Sequence, residues 1–464
     1  MKNIVLIMGL CVFVFTSCGK DFLELNPQST IAPETFYKTA ADAVTAINGC
    51  YKSLAVGGQY ASTFQILMEH RADNYLDQDP SSGAGQNFQI NRFSDSLGNT
   101  NLYTAWVALY SSIFRCNTVL QAIEPIAMDV TLKNRIKGEA SFIRALNYFN
   151  IVRFWGAAPL VTTTIDPTAA SNLKRDAVSD IYAQIEKDLT FAAANVPETY
   201  PTAEVGRVTK GAAQGLLAKV YLYQKKFTNA KSTAEEIING KRFNLLPTIA
   251  EVFDPTRKYH AEILFAIRFA KGIAGQDHGY WYANTQIIGL DSTLFKAYDA
   301  NDARRTQIEF ARPTGNSNFM PRKFIDIPVN NNAGNDFPIV RFADILLIQA
   351  EAANEVAYSN ITTPGSAFAN LNAVRKRAGL TELTAANLPD QAAFRSEIYK
   401  QRRLEFPFEG DRWFDMVRTG TAVAGIAASS KKQTIEAFRF LYPIPQQEID
   451  IANNKATFPQ NPGY

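Results

Sequence analysis

The pattern of apolar and polar positions predicts the main elements of this chain. From Pro33 onward, apolar side chains recur every three to four residues in long stretches that short polar breaks separate. This is the spacing of an α-helix with one buried face. It predicts helices over residues 34–54, 103–124, 132–154, 177–195, 210–225 and 229–239. The first half of the chain is therefore expected to be an array of helices.

Small residues form a second pattern within residues 211–240. Gly215, Ala218 and Ala230 lie at spacings that let two antiparallel helices approach closely, and Tyr221 and Phe227 can fill the space between successive pairs. This segment resembles a tetratricopeptide repeat, and residues 344–358 followed by 366–379 resemble another copy. We therefore expect a mainly α fold of the tetratricopeptide-like helical repeat type, with an irregular α-bundle as the alternative.

The helical period breaks down between about residues 245 and 342. Six prolines fall in this stretch, at positions 247, 255, 313, 321, 328 and 338. The region is expected to consist of loops with short strands, such as one over residues 262–269. Long loops of this kind often carry binding residues.

The first residues have the pattern of an export signal. Lys2 precedes an apolar run over residues 4–15, which is 12 residues long, whereas a membrane-spanning helix needs about 20. The run ends in Phe15-Thr16-Ser17-Cys18, which resembles a bacterial lipobox. We expect a signal peptide and a lipid on Cys18, with an ordinary secretory signal as the alternative. Several acyl chains would anchor the protein stably to a membrane.

These observations divide the chain into five parts. We expect a lipoprotein signal peptide over residues 1–17 and a lipid-anchored tether over 18–32. A helical-repeat region over 33–245, a loop-rich region over 246–340 and a C-terminal region over 341–464 follow. No segment after Cys18 approaches 18 consecutive apolar residues, so no membrane-spanning helix is expected after the signal.

Composition and charge exclude several classes of function. Lys and Arg total 47 against 44 Asp and Glu, a net charge of +3, and without a dense basic run nucleic acid is not an expected partner. The three histidines form no HExxH motif and the cysteines form no CxxC pair, so the common zinc patterns are absent. The run 330–336 lacks the spacing of a calcium loop and is expected to be a solvated turn. We expect no metal and no other cofactor.

Two cysteines remain to pair if Cys18 carries lipid. Cys50 and Cys116 both lie within helical apolar patterns, which favours buried free thiols. A disulfide between them stays open as the alternative in an oxidising compartment.

Charged residues in the apolar helices invite a catalytic interpretation. They are Glu139, Arg144, Glu351, Arg375, Arg402, Arg403, Glu405, Glu409, Arg412, Asp415 and Arg418. Paired carboxylates could perform acid/base chemistry. However, these residues alternate with large aromatic residues, and a buried charge must be paired and hydrogen-bonded. We therefore expect them to clamp the C-terminal segment onto the repeats.

A sugar-binding surface needs flat aromatic faces beside polar groups. Two segments supply both. The candidate ligand-binding residues are Tyr280, Trp281, Tyr282 and Asn284 in one segment, and Arg71, Asp73, Asn74 and Tyr75 in the other. Either segment could be purely structural, and three consecutive aromatic residues on a strand cannot all face the same way.

Motifs along nearly the whole mature chain resemble those of the SusD/RagB family. They are DFLELNP at 21–27, RCN at 115–117, GEASFIRA at 138–145, FWGAAPL at 154–160, RFADILL at 341–347, LNAVR at 371–375, RRLEF at 402–406, RWFD at 412–415 and QNPGY at 460–464. The family does not fix its ligand residues by motif, so the resemblance adds none to the candidates above.

The resemblance implies a function as well as a fold. It implies an outer-membrane lipoprotein of Bacteroidota on the cell surface, which binds an oligosaccharide or polysaccharide nutrient and acts as a lid on a SusC-like TonB-dependent transporter. It also implies a binding protein and not an enzyme. Three alternatives stay open: a peptide or glycopeptide ligand in the same role, a glycoside hydrolase with two carboxylates, and a structural partner of a channel without a ligand of its own.

Overall fold

The computed structural model describes residues 36–273, 288–311, 320–324, 326 and 333–464. The helices are α1 (Ala40–Leu54), α2 (Thr63–Glu69), α3 (Gln86–Asn91), α4 (Thr100–Ala122), α5 (Val130–Trp155), α6 (Pro167–Ser171), α7 (Val178–Asn195), α8 (Lys210–Tyr223), α9 (Phe227–Asn239), α10 (Ile249–Val252), α11 (Ser292–Ala297), α12 (Arg305–Ile308), α13 (Phe342–Val356), α14 (Ala367–Arg377), α15 (Gln391–Glu405), α16 (Arg412–Arg418), α17 (Ala422–Ala428) and α18 (Gln446–Ile451). Short 3₁₀ turns cover Thr202–Glu204, Arg322–Phe324 and Ala437–Phe440. The strands are β1 (Tyr75–Asp77), β2 (Ile263–Ile267), β3 (Ile288–Leu290), β4 (Phe310–Ala311), β5 (Met320–Pro321) and β6 (Phe337–Arg341). All six helices predicted in the first half are therefore confirmed.

Local sequence signals set several helix boundaries. Helix α1 begins later than predicted because Thr39 and Asp42 form a capping box that satisfies the first free N–H groups. Asp129 caps α5 by accepting a hydrogen bond from the N–H of Leu132. The same helix ends at Gly156, whose φ of +73° suits a residue without a Cβ.

The long helices stack in sequence order and form the body of the molecule. Helix α4 packs against α5, α5 against α7, α7 against α8, and α8 against α9. Helix α9 then packs against α13, and α13 against α14 and α15. The α8/α9 and α13/α14 hairpins lie where the sequence predicted repeats. The prediction of a mainly α, repeat-like fold is confirmed.

Small residues permit the close packing of α8. A Cβ on Gly215 would lie 2.8 Å from Leu264 on β2 and 3.0 Å from Val340 on β6. Ala218 and Ala230 are fully buried. Large side chains at these positions would separate the hairpin from the strands, as expected from the close packing of protein interiors.

The strands form three short antiparallel pairs. β2 pairs with β6, β1 with β3, and β4 with β5. β2 lies within the predicted strand over residues 262–269 and is buried between the helix repeats and the C-terminal region. In the part of the chain that the structure describes, no helix is long and apolar enough to cross a membrane.

Cys50 and Cys116 are free and fully buried. Burial, with the neighbouring Cys50 thiol adding to it, raises the pKa of Cys116 well above its usual range.

Because the thiolate is the reactive form, we expect iodoacetamide to modify neither cysteine in the folded chain from residue 19. The unfolded chain should take up two labels without reductant, as counted by mass spectrometry, whereas an unfolded chain that takes up none would indicate a disulfide.

Candidate binding site

The segment between α2 and β1 holds four of the candidate ligand residues, and it lies inside the molecule. Arg71 is fully buried, and its Nη2 donates to both carboxylate oxygens of Asp95, at 2.9 and 3.1 Å. Its guanidinium lies 3.5 Å from the ring centroid of Tyr442, and its Nη1 donates to the carbonyl of Leu441. Arg71 thus ties the start of the chain to its C-terminal segment.

The other three side chains of that segment are also buried. Asp73 is 2% exposed, and Nε and Nη2 of Arg412 each donate to it at 2.7 Å. Burial would raise the pKa of Asp73, but the guanidinium of Arg412 outweighs burial and holds the pKa below its usual range. Asn74 accepts from Arg403 at 3.1 Å, and Tyr75 is fully buried. Because all four side chains are enclosed, a ligand at the surface has no access to them in this structure.

The aromatic candidates Tyr280, Trp281, Tyr282 and Asn284 lie outside the described residues. The described residue that follows them most closely is Ile288, which is paired with Asp77 in the β1–β3 ladder. Ile288 therefore lies beside the end of β1 from which the polar loop after Asp77 leaves. The ladder pairs two stretches of chain that are more than 200 residues apart.

The residues exposed beside this ladder form what we call the 77–92 surface. Asp79 accepts hydrogen bonds from the N–H and hydroxyl of Ser81, at 2.9 and 2.7 Å. Phe88 and Arg92 are both half-buried, and the guanidinium carbon of Arg92 lies 5.2 Å from the ring centroid of Phe88. The same guanidinium donates a hydrogen bond to the carbonyl of Asp77. The surface thus offers a carboxylate, a hydroxyl, a guanidinium and an aromatic ring, the groups that suit an amphipathic sugar. Sequence reasoning missed Phe88 and Arg92. The Ser/Gly-rich loop at residues 81–85, just before them, is the one local signal that the sequence offers for an exposed binding loop here.

The conspicuous charged residues form buried ion pairs. Arg341 is 1% exposed and donates to Glu262, Glu405 and Glu409 at 2.7 to 2.9 Å. Burial would raise the pKa of Glu405, but the guanidinium groups around it, with Arg377 the strongest, hold the pKa well below its ordinary value of 4.5. Each carboxylate is saturated by cations.

A second group of pairs joins the C-terminal region to the repeats. Arg402 on α15 donates to Asp344 on α13 and to Asp415 on α16, at 2.7 Å in both cases. Lys219 on α8 lies 2.8 Å from both Asp344 and Asp411. These contacts confirm that the charged motif residues are buried and paired, as the sequence predicted. Among the described residues, no cluster of three or more His, Cys, Asp or Glu could hold a metal ion.

A large concave surface among the described residues is apolar. It is a groove of about 980 Å³ between α4, the segment 159–173 and α18. Trp106, Tyr110 and Phe458 line it, and Phe114 at its edge is 52% exposed. Such exposed patches are typical of contacts with another macromolecule, and the groove has few polar groups to orient a sugar.

The helices stack as hairpins, the buried charged side chains are paired with one another, and the 77–92 surface is polar. Together these features define a helical-repeat protein with the features of a binding protein. A model described as SusD family matches residues 276–464, and one described as starch-binding, associating with outer membrane, matches residues 21–222. The chain belongs to the SusD/RagB family.

Relatives and solved structures extend this similarity over the whole chain. SusD-like protein P25 of Formosa agariphila is 26% identical, with 97% of each chain covered. The solved structure of a SusD homologue from Bacteroides thetaiotaomicron has a TM-score of 0.80 at 23% identity, covering 93% of this chain and 98% of that one. A laminarin-binding SusD-like protein has a TM-score of 0.76 at 24% identity, covering 92% and 100%.

Proposed function

We propose that this protein is a cell-surface lipoprotein that binds oligosaccharide or polysaccharide nutrients. Its similarity along the full chain to SusD-like proteins, one of them described as laminarin-binding, is the observation that carries the proposal. The bound glycan passes to a SusC-like TonB-dependent transporter, on which this protein acts as a lid. The apolar groove with the exposed Phe114 supports contact with a macromolecule in addition to the sugar.

The proposed glycan site combines the 77–92 surface with the aromatic segment around Trp281. The β1–β3 ladder supports this combination because it pairs Asp77, just before the polar loop, with Ile288, the described residue that follows the aromatic segment most closely. Two or three stacking contacts of about 0.5 to 1.5 kcal/mol each, with a few hydrogen bonds, give a Kd of roughly micromolar to millimolar. Tight capture then depends on closure of the protein against its transporter.

The proposed anchor is a lipid on Cys18, which holds the protein on the outer face of the outer membrane. The model that matches residues 21–222 is described as associating with outer membrane, which supports this location. Residues 19–32 then serve as the tether between the lipid and the folded body. More than one acyl chain is needed for stable anchoring, and a diacylated cysteine meets that need.

The second candidate function is binding of a peptide or glycopeptide in the same uptake role. The half-buried cation of Arg92 beside Phe88 would also suit an acidic peptide. A glycoside hydrolase is less favoured, because the conspicuous buried carboxylates Glu405 and Glu409 are held by Arg341. Arg377 also pairs with Glu405 and Lys323 with Glu409, so neither carboxylate is free to act as a catalytic acid or base.

We predict that Trp281→Ala weakens glycan binding about tenfold, because one stacking contact is worth about 1 kcal/mol or slightly more. The melting temperature should stay unchanged. Phe88→Ala should weaken binding by a similar factor if the two segments share one ligand. Calorimetric titration with the glycan that binds the unmodified protein measures both effects.

The matched control is Phe114→Ala, which removes another exposed aromatic ring, in the apolar groove away from the 77–92 surface. It should leave the affinity for glycan unchanged. Equal affinities of Trp281→Ala and Phe114→Ala would move the site elsewhere on the protein.

A further inference from the structure

A second cleft lies away from the 77–92 surface. Its walls are the C-terminal half of α1, the turn 203–207 and the end of β2, and its volume is about 350 Å³. This is within the range of small-ligand pockets. A lobe of about 220 Å³ continues it past Gly206 toward Tyr200, Arg242 and Phe243. The two lobes share Gly206 and Arg207, so a short chain of linked rings could lie across them.

Arg268 is the exposed cation of this cleft, directly after β2. Its guanidinium lies 4.7 Å from the ring centroid of Tyr259, and its Nη1 donates to the carbonyl of Val205 at 3.1 Å. Among the described residues it forms no salt bridge within 4 Å. It interacts electrostatically with the carboxylate of Asp336, where burial raises the pKa and the charge of Arg268 opposes that rise. Stacking and one hydrogen bond hold the guanidinium in place, while its other N–H groups can bind a ligand.

Tyr259 packs against Arg268 at the same place. Its Oη is buried and has no hydrogen-bond partner among the residues that the structure describes. A buried hydroxyl without a partner costs about 1 to 3 kcal/mol. The residue also has a φ of +57°, which is unusual for a large side chain. Gly206 is required beside it, because a Cβ there would lie 2.8 Å from both Tyr259 and Arg268. A strained tyrosine held against an unpaired arginine is the kind of arrangement that marks binding sites.

The charged residues that line the two lobes indicate which class of ligand the cleft can bind. Four cationic residues line the two lobes, and they are Lys52, Arg207, Arg242 and Arg268. The lining carries one carboxylate, that of Glu204, which Arg207 and Arg135 already pair. Arg207 is also paired with the buried Glu139 at 2.8 Å. Arg242 is paired with Glu198 at 3.0 Å, so Arg268 supplies the cation available to a ligand. A cleft with an excess of one charge attracts ligands of the opposite sign.

We propose that this cleft binds an acidic saccharide, with a sugar carboxylate on Arg268. The planar guanidinium matches a carboxylate through two parallel hydrogen bonds. The half-exposed ring of Tyr51 and the amide of Asn48 line the rest of the cleft and suit a sugar ring. The inference rests on the proposed function of glycan binding and adds to it a second site that recognises uronate residues.

The experiment compares an acidic trisaccharide with its neutral form on the chain from residue 19. Trigalacturonate is titrated calorimetrically beside its methyl ester, which has the same rings without the charges. The acid should bind at least tenfold more tightly than the ester, as expected for charge-assisted hydrogen bonds of roughly twice the neutral strength. Arg268→Gln should remove that preference without lowering the melting temperature.

The control is Arg257→Gln, which removes an exposed arginine that pairs with Glu251 and lines neither lobe. It should keep the affinity of the unmodified protein for the acid. Equal affinity for acid and ester, absence of acid binding, or equal effects of Arg268→Gln and Arg257→Gln would each overturn the inference. Neutral glycan binding that is lost in Trp281→Ala and kept in Arg268→Gln would leave the proposed function standing in each of those cases.

Discussion

Replacement of Arg341 by methionine should lower the free energy of unfolding by about 3 to 5 kcal/mol, the cost of removing one partner of a buried ion pair. Arg341 is 1% exposed, and it is the shared partner of Glu262, Glu405 and Glu409. Methionine fills a similar volume but leaves three buried carboxylates with fewer cations. The loss should appear in urea denaturation as a lower midpoint with an unchanged slope.

The matched control is Arg395→Met, which removes an arginine from a surface pair with Glu355. The Arg395 side chain is 32% exposed, and such pairs contribute about 0 to 1 kcal/mol. The account requires Arg341→Met to be much more destabilising than Arg395→Met. Equal losses would show that the buried network does not clamp the C-terminal region onto the repeats.

Replacement of Glu69 by glutamine should make stability less dependent on pH. Burial raises the pKa of Glu69 to about 8. Its Oε1 accepts a hydrogen bond from the N–H of Gly410 at 2.6 Å, while its Oε2 has no partner among the described residues. The folded protein therefore keeps this carboxyl protonated at pH values where the unfolded chain, at its ordinary value of 4.5, has released the proton.

The sign of this effect follows from proton linkage. Between pH 4.5 and about 8, the folded state binds the Glu69 proton and the unfolded state does not, so stability falls as pH rises through that window. At 1.36 kcal/mol per pKa unit, the total fall is about 5 kcal/mol. Glu69→Gln lacks this contribution, while Lys323 and Lys431 titrate in both proteins. Urea denaturation from pH 4.5 to 9 should show the two stability curves diverging, and parallel curves would contradict the account.

The helices could be predicted because their apolar side chains keep the spacing of an α-helix even where most of the helix is buried. Helix α5 is instructive, since it lies in the centre of the array and buries even Glu139 and Arg144. An amphipathic pattern alone would place both charges in water. Their position among aromatic residues predicted the pairing that the structure has, with Arg144 donating to Asp188 at 2.7 Å. The sequence could not identify Asp188 as that partner, because the pair depends on how α5 packs against α7.

The segment from Arg71 to Tyr75 shows where sequence reasoning fails. Polar residues beside an aromatic ring are typical of a sugar site and equally of a buried polar cluster. The partners that decide between the two lie far along the chain: Arg412 holds Asp73, and Tyr442 stacks on Arg71. No local pattern indicates contacts across more than 300 residues.

The cleft of Tyr259 and Arg268 could not be predicted for a related reason. Arg268 follows a buried strand, and Tyr259 lies in a turn with three other polar residues. Only folding brings both against Gly206 and the turn after Tyr200. The 77–92 surface lies between these cases. The sequence shows its Ser/Gly-rich loop, but it does not distinguish Phe88 and Arg92 from residues of the core.

The central claim, that this protein captures glycans, is tested most directly by calorimetric titration of the chain from residue 19. Plant, host and microbial polysaccharides form one arm of the panel, and peptides form the other. The account predicts heat of binding with one class of glycan, with a Kd of roughly micromolar to millimolar, and no release of reducing sugar. Binding to peptides alone, or reducing sugar released by the pure protein, would contradict it.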